Sequence, residues 1–235
     1  MAGAEENTHS NEVRLDMDRE LRKGFGEVVF CGGKSDAQLR QIAGELKAAG
    51  RNMAFSRLEE RQRDVVVDAL GDAAAKLKYN SVSRLGWTEF QAIAKRGGTV
   101  AVVTAGSVDV PCAEEAAGII EFSGLTARRF FDVGVAGIHR LMNVLPEIKE
   151  TDVVIVAAGM DGALPSVVAG LVPKLVIGLP TSAGYGIAEQ GVTALRSMLC
   201  CCCPGLVVVN IDNGIGAGLA AVIAIASKRG GGEAG

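Results

Sequence analysis

Short apolar runs alternate with amphipathic segments throughout the chain after residue 97. The runs are typical of strands buried on both faces, and they occupy residues 99–104, 129–135, 153–158, 175–179 and 206–211. Segments compatible with helices follow each run, at residues 111–124, 137–149, 163–172, 187–199 and 216–228. Repeated strand–helix alternation with right-handed crossovers predicts an α/β domain in which a doubly wound parallel sheet forms the middle of three layers.

The chain before residue 97 reads as a smaller α/β domain. Its predicted elements are a strand at 27–31, an amphipathic helix near 36–49, a strand at 52–57, a charged helix at 59–70 and a weak strand near 79–84. About 32 % of residues 1–96 are charged, against about 14 % of residues 97–235. We therefore expect a tail at 1–13, a small domain at 14–96, a doubly wound domain at 97–229 and a tail at 230–235.

Composition excludes several classes of function. The net charge of −3 offers no basic field for nucleic acid, and 4 % aromatic residues argue against a platform that stacks bases. The richest apolar region, 153–180, is interrupted by polar residues and prolines, so we expect no membrane span. The polar first dozen residues and the poor disulfide pattern of the cysteines predict a cytoplasmic protein, with an organellar compartment as the alternative.

Polar residues cluster immediately after the predicted strands. Ligands of open parallel sheets bind beyond the carboxyl ends of the strands, so these loops predict a binding site. The candidate residues are Thr104, Gly106, Ser107 and Asp109 after the first strand, His139 and Arg140 after the second, Gly159, Met160 and Asp161 after the third, and Thr181, Ser182 and Tyr185 after the fourth.

Each loop also has a purely structural interpretation. Residues 104–109 suit a phosphate but also an ordinary turn with a helix cap. Asp161 is either a general acid/base or the cap of the next helix. His139 is the credible catalytic imidazole because His9 lies in the tail, although a structural role competes. The glycines at 214–218 lack dinucleotide spacing and favour helix–sheet packing.

Four consecutive cysteines, Cys200 to Cys203, precede the last predicted strand. A helix of a doubly wound fold runs away from the ligand edge, so simple topology places these thiols at the opposite edge of their own subunit. An oligomer, or a segment that folds back, would resolve that conflict. Adjacent side chains do not easily close a tetrahedral zinc site, which favours one reactive cysteine among inert neighbours and no metal ligands here.

Several motifs resemble the LarB family of carboxylase/hydrolases. The resemblance extends from about residue 14 to the end of the chain, and the region after residue 97 is more distantly similar to aminoimidazole ribonucleotide carboxylase. The motifs that carry it lie at Leu15–Lys34, Phe131–Arg140, Ala158–Gly170, Pro180–Gly186 and Val209–Gly214.

The resemblance implies an activity. Family members add CO2 to carbon 5 of the pyridinium ring of nicotinic acid adenine dinucleotide and hydrolyse its phosphoanhydride. The products are pyridinium-3,5-dicarboxylate mononucleotide and AMP. It further implies CO2 as co-substrate, no tightly bound cofactor, Mg2+ as an open option for the hydrolytic step, and a homo-oligomer, expected to be an octamer.

The same resemblance implies roles for individual residues. The family nucleophile lies in a segment like Asn-Ser-Cys-Ala-Pro-Gly, and the Pro204-Gly205 register places it on Cys202. Asp161 stands where the family usually has Glu, and Asp109 ends a Ser-Val-Asp sequence where Thr-Ser-Asp is usual. The remaining catalytic candidates are Asp16 and His139, and two cations join the substrate-binding set, namely Arg140 and Lys34.

Two other functions stay open on the sequence. The chain is alternatively an aminoimidazole ribonucleotide carboxylase of purine biosynthesis. From a different class, it is a nucleotide-binding or thiol-sensing protein without turnover.

Overall fold

A computed structural model describes residues 13–230 of the chain, with side chains up to residue 228. The chain divides into two compact units, one up to Ala92 and one from Ile93. The tails expected at 1–13 and 230–235, together with His9, fall almost entirely outside the described residues.

The N-terminal unit is a mixed four-stranded sheet with helices. The sheet order is β1-β2-β4-β3, with β1 and β2 parallel and the other pairs antiparallel. A buried core holds the sheet against α2 and α3. The elements are α1 (Arg19–Lys23), β1 (Val28–Phe30), α2 (Asp36–Ala49), β2 (Ala54–Ser56), α3 (Glu60–Leu70), β3 (Leu77–Asn80) and β4 (Leu85–Thr88).

The C-terminal unit is a five-stranded parallel sheet of order β6-β5-β7-β8-β9. The winding direction therefore reverses between β5 and β7. The elements are β5 (Thr99–Thr104), α4 (Val110–Phe122), β6 (Thr126–Phe130), α5 (Ile138–Lys149), β7 (Val153–Ala158), α6 (Ala163–Leu171), β8 (Leu175–Pro180), α7 (Val192–Leu199), β9 (Leu206–Val208) and α8 (Gly214–Gly230).

Helices cover both faces of this sheet. Val100 and Val102 of β5 belong to the core shared with α4 and α8, whereas Ala101 and Val103 belong to the core shared with α5, α6 and α7. Alternate residues of one strand thus enter different cores because successive side chains point to opposite faces. The predicted fold class, a three-layer doubly wound sheet with a smaller α/β domain, is confirmed.

Three predicted strands had the wrong bounds, and all lie at sheet edges. The run 129–135 was placed too late, because β6 occupies Thr126–Phe130 and the chain turns at Asp132, whose φ is 58°. The run 206–211 shortens to Leu206–Val208. The weak strand predicted near 79–84 begins too late, since residues 79 and 80 end β3 and residues 81–84 form the hairpin turn before β4. Edge strands bury fewer side chains than interior strands do. The limits of an apolar run in the sequence therefore predict the ends of an edge strand poorly.

The predicted helix 187–199 is also shorter than expected. Residues Gly186–Gly191 form a 3-10 turn in which Glu189 and Gln190 have φ near 50°, and α7 begins only at Val192.

Candidate functional site

Asp109 connects three loops at the carboxyl edge of the C-terminal sheet. Its Oδ2 accepts the backbone N–H of Gly106 at 2.8 Å. Its Oδ1 accepts the backbone N–H of Gly159 at 3.1 Å and the hydroxyl of Thr181 at 2.5 Å. One carboxylate therefore joins the loops that follow β5, β7 and β8, at the point where the sheet reverses its winding direction.

The surroundings of Asp109 shift its acidity. The side chain is buried, with 3 % of its surface exposed. Burial raises the pKa of Asp109 above its ordinary value, and the charge of Asp212 adds to that increase, although the donors from Thr181, Gly106 and Gly159 oppose it.

The backbone around Gly159 is packed without room for a side chain. A Cβ at Gly159 would lie 2.9 Å from the Thr181 hydroxyl and 3.2 Å from the amide nitrogen of Gly184. Met160, next in the chain, has a φ of 49° and is 46 % exposed. Asp212 has a φ of 54° in the loop after β9. Such left-handed non-glycine residues are uncommon and cluster at functional sites.

Asp212 and Cys112 also belong to this edge: the sequence placed Asp212 in the loop after the last predicted strand, but assigned a role to neither residue. Asp212 Oδ1 accepts the backbone N–H of Ser182 at 2.8 Å and lies 3.2 Å from the Cys112 sulfur. Cys112 is in the first turn of α4, three residues after Asp109. The position of Asp212 after a strand was a usable signal. Nothing in the sequence marked Cys112.

Two predicted site residues have contacts that organise the loop after β6, and a third lies nearby in the chain. The buried Thr104 hydroxyl accepts the backbone N–H of Asp132 at 2.9 Å, so it anchors that loop. Arg140 pairs with the Asp132 carboxylate at 2.8 Å. His139 is exposed in the first turn of α5.

The other predicted residues of this edge are accessible. Asp161 is exposed, and its Oδ1 accepts the N–H of Ala163 at 3.3 Å, which is the capping contact considered above. Ser107 and Ser182 are exposed, and 78 % of the surface of Tyr185 is exposed. The edge therefore offers exposed hydroxyl groups and the exposed carboxylate of Asp161 around the buried Asp109.

Asp16 and Lys34 lie in the N-terminal unit. Asp16 accepts hydrogen bonds from Arg19 at 3.2 Å and from Arg22 at 2.5 Å, and these guanidinium groups lower its pKa, with the bond from Arg22 the largest cause. Lys34 lies half-buried in the turn before α2 and lines a cavity of that unit.

The four cysteines lie at the edge opposite to Asp109. Gly205, which follows them, accepts the N–H of Val176 at the beginning of β8. Asp109 instead contacts Thr181, just after the end of β8. The six residues of β8 separate the two edges by roughly 15–20 Å. Within this chain, Cys202 and Asp109 are therefore not brought together.

The cysteine segment packs against α6. A hydrogen bond with the Ser166 side chain and then the N–H of Cys203 lower the pKa of the Cys201 thiol. The hydrogen bond with Cys201 raises the pKa of Cys203. Cys202 is exposed. The segment does not fold back over the carboxyl edge.

Residues 13–230 contain no group of three His, Cys, Asp or Glu side chains that could hold a metal ion. No helix in this described part of the chain is long and apolar enough to cross a membrane.

Two family models match successive parts of the chain. A model described as a LarB/PurE-like N-terminal domain matches residues 7–90, and one described as AIR carboxylase matches residues 99–231. The chain belongs to the LarB family. The resemblance inferred from the motifs is thereby confirmed, and membership of this family indicates an enzyme of the carboxylase type.

Two proteins of Methanocaldococcus jannaschii are similar to it. An uncharacterised protein is 40 % identical over 219 residues, which cover 88 % of this chain and 81 % of that protein. An N5-carboxyaminoimidazole ribonucleotide mutase is 34 % identical over 134 residues, covering 55 % of this chain and 80 % of the mutase. Among solved structures, a variant of Treponema denticola PurE2 aligns with 59 % of this chain and 92 % of its own at 19 % identity, with a TM-score of 0.44.

Proposed function

We propose that the protein carboxylates carbon 5 of the pyridinium ring of nicotinic acid adenine dinucleotide and hydrolyses its phosphoanhydride. The observation that carries this proposal is the combination, in one chain, of a LarB/PurE-like N-terminal domain with an AIR carboxylase domain. The carboxyl edge of the second domain, with its exposed hydroxyl groups and carboxylate, supports a polar nucleotide substrate. CO2 is the co-substrate, and Mg2+ in the hydrolytic step stays a prediction.

The chemistry requires a nucleophile because a pyridinium ring is too electron-poor to attack CO2. A cysteine thiolate adds to the ring, which removes the positive charge and leaves an enamine-like system. Carbon 5 then forms a bond with the carbon of CO2. A base removes the proton from carbon 5, and expulsion of the thiolate restores the aromatic ring. Water cleaves the phosphoanhydride separately and yields AMP.

We assign the proton transfer to Asp161. Its carboxylate is exposed at the edge where the substrate would bind. Asp109 serves instead as a positioning residue, because both of its oxygens already accept hydrogen bonds from the loops. Ser107, Ser182 and Tyr185 supply accessible hydroxyl groups for the carboxylate, ribose or phosphate of the substrate.

We further propose that Cys202 reaches the ring from a second copy of the chain. Its own carboxyl edge lies at the other side of the sheet, so a subunit cannot supply both groups to one site. Apolar side chains are exposed at each edge and would be covered by such an assembly. They are Leu199 (65 %) and Val207 (47 %) beside the cysteines, and Tyr185 (78 %) and Ile187 (90 %) at the carboxyl edge. A homo-oligomer is required, and an octamer is expected.

The test uses the purified full chain with nicotinic acid adenine dinucleotide and 13C-bicarbonate, and detects products by mass spectrometry. We expect labelled dicarboxylate mononucleotide and AMP. Cys202→Ser should abolish the labelled product, because no thiolate can add to the ring. Cys112→Ser is the matched control, since Cys112 is a thiol at the carboxyl edge of the same chain.

Two results would contradict the proposal. Full turnover by Cys202→Ser with loss of activity in Cys112→Ser would assign the nucleophile to the same subunit. Absence of both products from the unaltered protein would exclude the reaction itself.

A purine carboxylation is the second candidate, favoured by the similarity to the N5-carboxyaminoimidazole ribonucleotide mutase. The same mass-spectrometric measurement with aminoimidazole ribonucleotide and CO2, or with its N5-carboxylated form, distinguishes the two. We expect no conversion of either purine precursor. Conversion of one of them without any reaction of the dinucleotide would favour the second candidate.

A further inference from the structure

Cys203 contacts two other thiols of the cysteine segment, at the edge opposite to Asp109. Its backbone N–H donates to the Cys201 sulfur at 3.3 Å, and hydrogen bonds also join its side chain to those of Cys201 and Cys202. The proposed carboxylation uses Cys202 alone. It therefore leaves Cys201 and Cys203, two thiols in direct contact, without a role.

The Cys201 sulfur is surrounded by hydrogen-bond donors. The Ser166 side chain of α6 and the N–H of Cys203 both bond to it, and they lower the pKa of Cys201, with the bond from Ser166 the largest cause. The hydrogen bond with Cys201 raises the pKa of Cys203, which thus keeps its proton. Both thiols are half-buried, so a small reagent can reach them. Since the thiolate is the reactive form of cysteine, Cys201 is the member of the pair that reacts first.

The spacing of the cysteines favours a covalent bond between these two. Adjacent Cα atoms lie about 3.8 Å apart, below the range of roughly 4.4–6.8 Å that is usual for a disulfide. Residues with one residue between them lie at most about 7 Å apart, a distance that includes this range. Cys200 with Cys202 and Cys201 with Cys203 have this spacing, and the hydrogen bonds described above join Cys201 with Cys203.

We propose that Cys201 and Cys203 are a redox pair that reduces a hydroperoxide and forms a disulfide. With hydrogen peroxide, the Cys201 thiolate attacks one oxygen, the O–O bond breaks, and the other oxygen leaves as hydroxide, which takes up a proton and becomes water. The Cys203 sulfur then attacks the sulfur of the resulting sulfenic acid. The S–S bond forms, the S–O bond breaks, and a second water leaves with the Cys203 proton. Two thiols are oxidised while one peroxide is reduced to two waters.

The disulfide also affects the residue between its two ends. It closes a small ring of the chain that contains Cys202, and so it fixes the segment from which Cys202 would reach the substrate of a second copy. Oxidation should therefore stop turnover until a dithiol reduces the bond. This consequence rests on the proposed function, whereas the disulfide itself does not.

The experiment maps the disulfide in the full chain. The reduced protein is treated with a slight excess of hydrogen peroxide, its remaining thiols are blocked with N-ethylmaleimide, and it is digested with trypsin. All four adjacent cysteines lie in the tryptic peptide 197–228. Mass spectrometry should find maleimide on Cys200 and Cys202 and a bond between Cys201 and Cys203. Cys201→Ser and Cys203→Ser should lack the bond, and Cys200→Ser, the matched control from the same segment, should form it like the parent.

The contact with α6 gives a second readout. Ser166→Ala should slow formation of the disulfide roughly fivefold, because the Cys201 thiolate loses a stabilising hydrogen bond. The time course of maleimide labelling measures this rate. An unchanged rate in Ser166→Ala would contradict Cys201 as the attacking thiol.

The inference is overturned if peroxide leaves all four cysteines open to maleimide, or if the bond includes Cys200 or Cys202. Formation of the dicarboxylate product is measured on the same preparations before oxidation, after it, and after reduction with dithiothreitol. A Cys201–Cys203 disulfide in a protein without turnover supports the redox pair and contradicts the proposed reaction. Turnover in a protein that forms no such disulfide does the reverse. Full turnover by the disulfide form would contradict its effect on Cys202.

Discussion

Asp109 shows how one buried side chain sets the geometry of three loops. Its carboxylate accepts hydrogen bonds from Gly106, Gly159 and Thr181, which are up to 72 positions away in the chain. Burial nevertheless raises its pKa. The residue is therefore central to the order of the carboxyl edge.

Asp109→Ala should lower the free energy of unfolding by about 2–4 kcal/mol, because buried N–H groups lose their acceptor. Glu150→Ala, which removes an exposed ion pair with Arg128, should cost less than about 1 kcal/mol.

The raised pKa of Asp109 also makes the stability of the folded protein depend on pH. Above pH 3.8, the ordinary pKa of an aspartate, Asp109 loses its proton in the unfolded chain more readily than in the folded protein. The difference in unfolding free energy between the parent and Asp109→Ala therefore becomes smaller as pH rises.

Urea denaturation followed by circular dichroism at several pH values measures the unfolding free energy of the parent and of each variant. Equal stability of Asp109→Ala and the parent, or an advantage that widens between acidic and neutral pH, would contradict the role assigned to Asp109.

The sequence located individual residues of the edge but not their contacts. The rule that ligands bind beyond strand ends brought Asp109 and Thr181 to the same edge. Their direct hydrogen bond depends on three-dimensional approach of loops that no local pattern encodes. Cys112 lies in a helix turn where an apolar residue would fit the pattern equally well, which is why it was missed.

At the scale of elements, the interior strands were the most predictable. The bounds Thr99–Thr104 and Val153–Ala158 agree with the apolar runs, because β5 and β7 are covered on both faces. β6 at the sheet edge has exposed and half-buried residues, and the apolar run that suggested it continues into the following loop. Burial on both faces, rather than hydrophobicity as such, decided which strands could be located.

Replacing glycine by alanine should have opposite effects on stability at Gly44 and at Gly159. Gly44 lies in α2 with nothing within 4 Å of an added Cβ, so Gly44→Ala should stabilise the protein by about 0.5–1 kcal/mol. Gly159→Ala should destabilise it by about 1–3 kcal/mol and reduce turnover, because its Cβ meets Thr181 and Gly184. Urea titrations measure both, with Trp87 fluorescence reporting the N-terminal unit that contains α2. A stabilising Gly159→Ala would show that this edge is not packed as described.

At the scale of the whole molecule, the opposite placement of Cys202 and Asp109 is the strongest constraint. A parallel sheet fixes the direction of every strand and helix, so the segment between α7 and β9 has to lie at the amino edge. The motifs alone assign Cys202 and Asp161 to one reaction. Only the fold shows that Cys202 lies at the edge opposite to Asp109, which is the basis of the proposal that two copies share the site.

Subunit complementation tests this most directly. Cys202→Ser and Asp161→Asn chains, co-expressed with different tags, are purified as mixed oligomers and assayed for the labelled dicarboxylate product. Each variant alone should be inactive. Random mixing should restore about a quarter of the parental activity, because one site in four combines an intact carboxyl edge with an intact cysteine from its neighbour. Mixed oligomers as inactive as either variant alone would contradict a site shared between subunits, and an Asp161→Asn protein with full activity would contradict the proton transfer assigned to Asp161.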